Sequence, residues 1–137
     1  MRAQLMIAVC GLGLVASAGR AAAHHAFSAE FDANQPIVLK GTVSKTEWIN
    51  PHSWVHVDVK DDSGKVTTWA IECGAPNALL RRGWNNKSLP IGTAIVVDGF
   101  RAKDGSAVAN AKDITLPDGR KVFMGSSGTG APYEERK

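Results

Sequence analysis

The segment from Ser53 to Cys73 constrains the fold of this chain more than any other. Ser53, Val55, Val57 and Val59 alternate with Trp54, His56 and Asp58, the period-two pattern of a strand with one face buried. Asp61-Asp62-Ser63-Gly64 supplies turn chemistry, and Val66 to Cys73 returns with Trp69, Ile71 and Cys73 on one face. The segment reads as a β-hairpin, and any fold for the chain has to be built around it.

Strand signals continue on both sides. Leu39, Gly41 and Val43 alternate with Lys40, Thr42 and Ser44 in a strand from Ile37 towards Trp48. Asn50-Pro51 stops it, because proline lacks a donor and restricts the residue before it. Ala75 to Gly83 predicts a short helix with Pro76 near its first turn, Gly83 past its end and Leu79 and Leu80 as core anchors. A fourth strand covers Ala94 to Arg101, a fifth about Ala107 to Leu116, and Pro117-Asp118-Gly119 turns the chain into Lys121 to Met124. Three strands, a short helix and two more strands follow the order of an OB-type barrel. The expected fold class is therefore mainly β, a small five-stranded OB-like barrel with one short helix, with another small barrel or sandwich as the alternative.

Ahead of the barrel, Met1-Arg2 precedes an apolar run from Leu5 to Ala18 and then Gly19-Arg20-Ala21-Ala22-Ala23, the layout of a secretory signal peptide. The division that follows is a signal peptide at 1–23, an N-terminal arm at 24–36, the OB-like domain at 37–125 and a disordered tail at 126–137, too poor in apolar residues to pack. Phe27 and Phe31, four apart, are expected to pin the arm to the barrel. The apolar run is shorter than the roughly 18 residues a membrane span requires, so the mature chain is expected in the periplasm without an integral membrane segment. Val9 stands where a lipoprotein signal wants a small residue before Cys10, which argues against a lipid anchor. Cys73 is then alone in an oxidising compartment and reads as a small buried hydrophobe.

Charge narrows the partners. The sequence has 16 Lys+Arg against 13 Asp+Glu and a pI near 9.0, but Arg2 and Arg20 leave with the leader, so 14 basic side chains remain and the net charge falls to +1. These charges are interspersed, without the basic stripe of a nucleic-acid binder, and no nucleic-acid partner is expected.

Three signatures stand together: His24-His25-Ala26-Phe27, Trp48-x-Asn50-Pro51-His52-x-Trp54, and Pro76-Asn77 with Arg81-Arg82-Gly83-Trp84. In these the chain resembles a family of small exported bacterial proteins known as a domain of unknown function, from His24 to about Ser126. The resemblance implies a periplasmic setting and an OB-like barrel, and no activity. Ala26 departs from the Ser common in the family.

The chemical lead is histidine. Cleavage after Ala23 makes His24 the N-terminus, whose amine and imidazole form one chelate similar to the histidine brace of copper proteins. Cleavage before Ala23 puts His25 third, a spacing suited to square-planar Cu(II), while a cut after Ala18 leaves five residues in front. His24, His25 and His52 are the candidate metal ligands and copper the candidate cofactor, against a solvated His-rich end. His52 and His56 lie about 13 Å apart at ~3.3 Å per residue and cannot chelate one ion as a pair. Of the two, His52 reads as the freer, on the loop beside Pro51.

A second lead is an aromatic surface in which Trp48, Asn50, Trp54 and Arg81 bind a small molecule or a glycan. Against it stands the simpler expectation that Phe27 or Phe31 covers Trp54. Asp58 and Glu72 fall on adjacent strands where they can oppose one another, which alone does not make a catalytic pair. The chain is thus expected to be a non-catalytic binding module, with a protein-interaction accessory as a further reading.

Overall fold

In the computed structural model, residues 27–134 are described; the leader, His24 and His25, and the last three residues lie outside them. In chain order come α1 (Phe27–Glu30), β1 (Phe31–Glu47), β2 (Trp54–Lys60), β3 (Val66–Glu72), α2 (Pro76–Arg81), β4 (Ala94–Ala102), β5 (Val108–Thr115) and β6 (Lys121–Phe123). The hairpin runs in register from Trp54 opposite Glu72 to Lys60 opposite Val66. Asp61 ties its turn, accepting from the Ser63 and Lys65 amides at 2.9 and 3.0 Å.

β1 pairs antiparallel with β2 along one stretch and with β4 along the other. β4 pairs antiparallel with β5, and β5 meets β3 in parallel from Ala70 opposite Val108 to Glu72 opposite Asn110. That last pairing closes the ring β1-β2-β3-β5-β4, and with α2 between β3 and β4 it is the OB topology the element order predicts. β6 adds to the end of β5.

The alternating residues fill the interior: Val43, Val55, Val57, Ile71, Val97 and Ile114 are all buried in one cluster. On β1 Gly41 is required, since a Cβ there would strike the Asp58 carbonyl oxygen and the Val57 side chain of β2. Leu79 of α2 enters the same cluster, whereas Leu80 is 60% exposed rather than a core anchor. Adjacent helix positions point about 100° apart, and so short a helix shows the barrel only one face.

Both ends of the described chain differ from expectation. β1 starts at Phe31 rather than Ile37, and residues 32–35 bulge between Phe31, opposite Ala102, and Pro36, opposite Phe100. Asp32 holds that bulge by accepting from Asn34 N and Gln35 Nε2. The irregularity is what lets a strand contain proline. Phe27 and Phe31 pack with Ala102, Ala131 and Tyr133, and Phe100 lies against this second cluster.

The tail is not disordered where it is described. Residues 126–134 pack back, with Ser126, Thr129, Ala131 and Tyr133 buried. Two apolar side chains suffice because the Phe rings supply the rest of the cluster. The polar backbone is met as well: Phe27 N donates to Thr129 O at 2.7 Å, and Glu134 accepts from Thr129 N, Thr129 Oγ1 and Gly130 N.

Candidate functional site

His52 is buried, not free on its loop. The cis Asn50–Pro51 peptide precedes it, and its Nδ1 lies 3.1 Å from Ser126 Oγ and 3.3 Å from the Cys73 carbonyl oxygen. Ser126 Oγ donates to that same carbonyl at 3.2 Å, so the set closes with the ring proton on Nδ1. Glu72 Oε1 stands 3.8 Å from Nδ1 and accepts from Asn110 Nδ2 at 3.1 Å, and Asn110 Oδ1 accepts from the Tyr133 hydroxyl at 2.9 Å. A buried polar chain thus runs from His52 to Tyr133 across the closing strands β3 and β5. Desolvation pushes the Tyr133 phenol up to about 12, and burial raises the Cys73 thiol far above its ordinary range, leaving it inert.

At one end of this chain opens a cavity of about 190 Å³, lined by Pro51, His52, Ala75, Asn77, Ala78, Arg81, Ser126 and Ser127. The Asn-Pro-His loop forms one wall, α2 and its approach a second, and the start of the C-terminal segment the third. Two of the three sequence signatures therefore converge on one site. Asn77, Ser126 and Ser127 were missed as site residues. The serines lie in a Gly- and Ser-rich stretch whose composition hides that it folds back, while Asn77 belongs to the Pro76-Asn77 signature.

The two arginines that close α2 have different tasks. Arg82 Nη1 donates to the Gly125 carbonyl at 3.0 Å, and its guanidinium sits 4.7 Å from the Phe123 ring centre, binding the C-terminal segment to the helix. Arg81 is exposed at the cavity rim, and among the described residues its guanidinium meets no acceptor.

Among the described residues no ring contact joins Trp48 to Trp54. Trp48 and Trp84 pack against the barrel core, whereas Trp54 is half-buried opposite Glu47 and Glu72 and belongs to neither apolar cluster. The Phe27 and Phe31 rings pack with Phe100 and Tyr133 instead of covering it. Asn50 is exposed on the loop before Pro51. His56 pairs with Glu47 at 2.9 Å. Asp58 lies opposite Thr68 and accepts from its hydroxyl, so Asp58 and Glu72 do not oppose one another.

Ser126, His52 and Glu72 do not make a hydrolytic triad. That chemistry divides the imidazole, one nitrogen taking the serine proton while the acid holds the other. Here Ser126 and Glu72 both face Nδ1, and the serine proton is directed to Cys73 O. Among the described residues no group of three or more His, Cys, Asp or Glu is placed to hold a metal. No helix among them is long and apolar enough to cross a membrane.

Fold and site define a small OB-fold protein with a polar cleft between its first interstrand loop, its helix and its C-terminal segment. The chain belongs to the family of unknown function DUF6152, whose model matches residues 11–111. Among curated proteins no sequence relative matches. Among solved structures the chain is similar to the mitochondrial single-stranded DNA binding protein Rim1 from S. cerevisiae, at 12% identity and a TM-score of 0.48, over 61% of this chain and 93% of that one.

Proposed function

We propose that this chain is an exported, non-catalytic binding module that holds a small polar ligand in the cleft beside His52. The observation that carries this reading is the convergence of the Asn-Pro-His loop and α2 on one cavity of about 190 Å³, whose third wall is Ser126-Ser127. The buried chain behind it preorganises that wall, which lowers the ordering cost of binding. The leader-like residues 1–23 support export to the periplasm. Ala78 lines the cavity, so Ala78→Leu fills it. A ligand found by thermal-shift screening should lose its effect on that variant while the variant still melts cooperatively. Unchanged binding by Ala78→Leu would refute the assignment.

A second reading is carried by His24-His25 at the expected scar: Cu(II) held by the N-terminal amine and these imidazoles. Phe27, three residues after His24, is anchored through its amide to Thr129 O, so the pair adjoins a fixed point of the fold. His52 is withdrawn from this ligand set by its burial among Ser126, Cys73 and Glu72. Intact mass of the exported chain fixes the scar, and spin-resonance spectra with one equivalent of Cu(II) count the nitrogen ligands. A mature chain beginning at Gly19 would overturn the reading.

A further inference from the structure

We infer that the ligand class of the cleft is a small oxyanion of carboxylate size, anchored by Arg81; this rests on the reading of the cleft as a ligand seat. The donors facing the cavity carry the argument. Arg81 brings a fork of N–H donors and no acceptor, Asn77 an amide, and Ser127 a hydroxyl. No carboxylate lines the cavity. Glu72, 3.8 Å from His52 Nδ1, is buried and accepts from Asn110, and Glu134 is engaged by Thr129 and Gly130.

The contrast between neighbouring arginines sharpens the inference. Arg82 is committed to the Gly125 carbonyl and the Phe123 ring, which fixes the end of α2 and so the rim from which Arg81 projects. Arg81 itself is committed to no described acceptor. A planar guanidinium with free donors, held beside a concave polar surface, matches the two oxygens of a carboxylate.

Size is compatible with this class. A cavity of about 190 Å³ holds roughly six waters at their liquid volume, enough for an acetate- or sulfate-sized ion. Pro51, Ala75 and Ala78 provide an apolar floor on which the non-ionic part of a carboxylate can rest.

The test is a titration of the ¹⁵N-labelled protein with acetate, sulfate and the neutral isostere acetamide at constant ionic strength. Saturable amide shifts confined to Asn77, Ala78, Arg81 and Ser127, given by an anion and not by acetamide, are the expected result. Binding of acetate alone identifies an organic carboxylate and binding of sulfate alone an inorganic oxyanion; either upholds the class. Arg81→Gln should weaken binding about tenfold or more, the loss of a charge-assisted pair, while Lys60→Ala on the distant hairpin should leave it unchanged. Acetamide binding as well as acetate, with Arg81→Gln indifferent, would overturn the oxyanion and leave the cleft standing. No saturable shift at the cleft with acetate, sulfate or acetamide would overturn this inference, and survival of a screened ligand's effect in Ala78→Leu would bring down the cleft reading itself.

Discussion

The Tyr133 hydroxyl donates to Asn110 Oδ1 over 2.9 Å, so the C-terminal segment is bonded to the strand that closes the barrel. Removing only that oxygen, Tyr133→Phe, leaves a buried amide short of a donor and should cost about 1–3 kcal/mol in urea unfolding. Tyr133→Ala also empties its place among Phe27, Phe31 and Ala131 and should cost roughly 3–5 kcal/mol. Equal midpoints for wild type and Tyr133→Ala would contradict the packed tail.

The same residue sets an alkaline limit. Its folded phenol, pushed up to about 12 chiefly by burial, holds its proton where the unfolded chain releases it near 10. The stabilisation is therefore complete below pH ~10 and is lost as pH rises from ~10 towards ~12. Tyr133 is the chain's one tyrosine, so tyrosinate absorbance reports it alone. The titration should run near 12 in the native protein and near 10 in urea.

His52 separates structure from metal binding. His52→Ala removes the partner of Ser126 Oγ inside a buried set and should destabilise by roughly 1–3 kcal/mol. Under the copper reading, Cu(II) affinity of a chain beginning at His24 should be unaffected by that change and fall with His24→Ala. Calorimetry with Cu(II) on both variants checks it, and copper lost with His52 would contradict the withdrawn ligand.

Gly41→Ala should cost about 1–3 kcal/mol, because the added methyl meets the Asp58 backbone carbonyl, which cannot step aside as a side-chain tip can. Chemical denaturation measures the loss.

Trp54→Ala should cost less than the roughly 3–5 kcal/mol of a fully buried aromatic, since Trp54 is half-buried and joins neither cluster. A thermal melt decides between this and a Trp54 capped by the arm.

The hairpin, α2 and the strand order were legible because each is written in local periodicity: Val55 and Val57 declare their shared face within a few residues. The packed tail was not, since Ala131 and Tyr133 make sense only against Phe27, Phe31 and Phe100, which are remote in sequence. The misplacement of His52 has the same root. Its loop looks open until Ser126, 74 residues later, returns to cover it. Arg81 and Arg82 are adjacent and chemically alike, and only the position of Gly125 and Phe123 assigns one to the scaffold and leaves the other at the rim.

The bond from Phe27 N to Thr129 O joins the start of α1 to the segment after β6. Synthesis runs from the N-terminus, so Phe27 cannot meet this partner until Thr129 has been made. The cluster of Phe27, Phe31, Ala131 and Tyr133 is therefore the last part of the fold that can assemble, and a chain cut before Thr129 leaves the Phe27 amide and both phenylalanine rings without their cover.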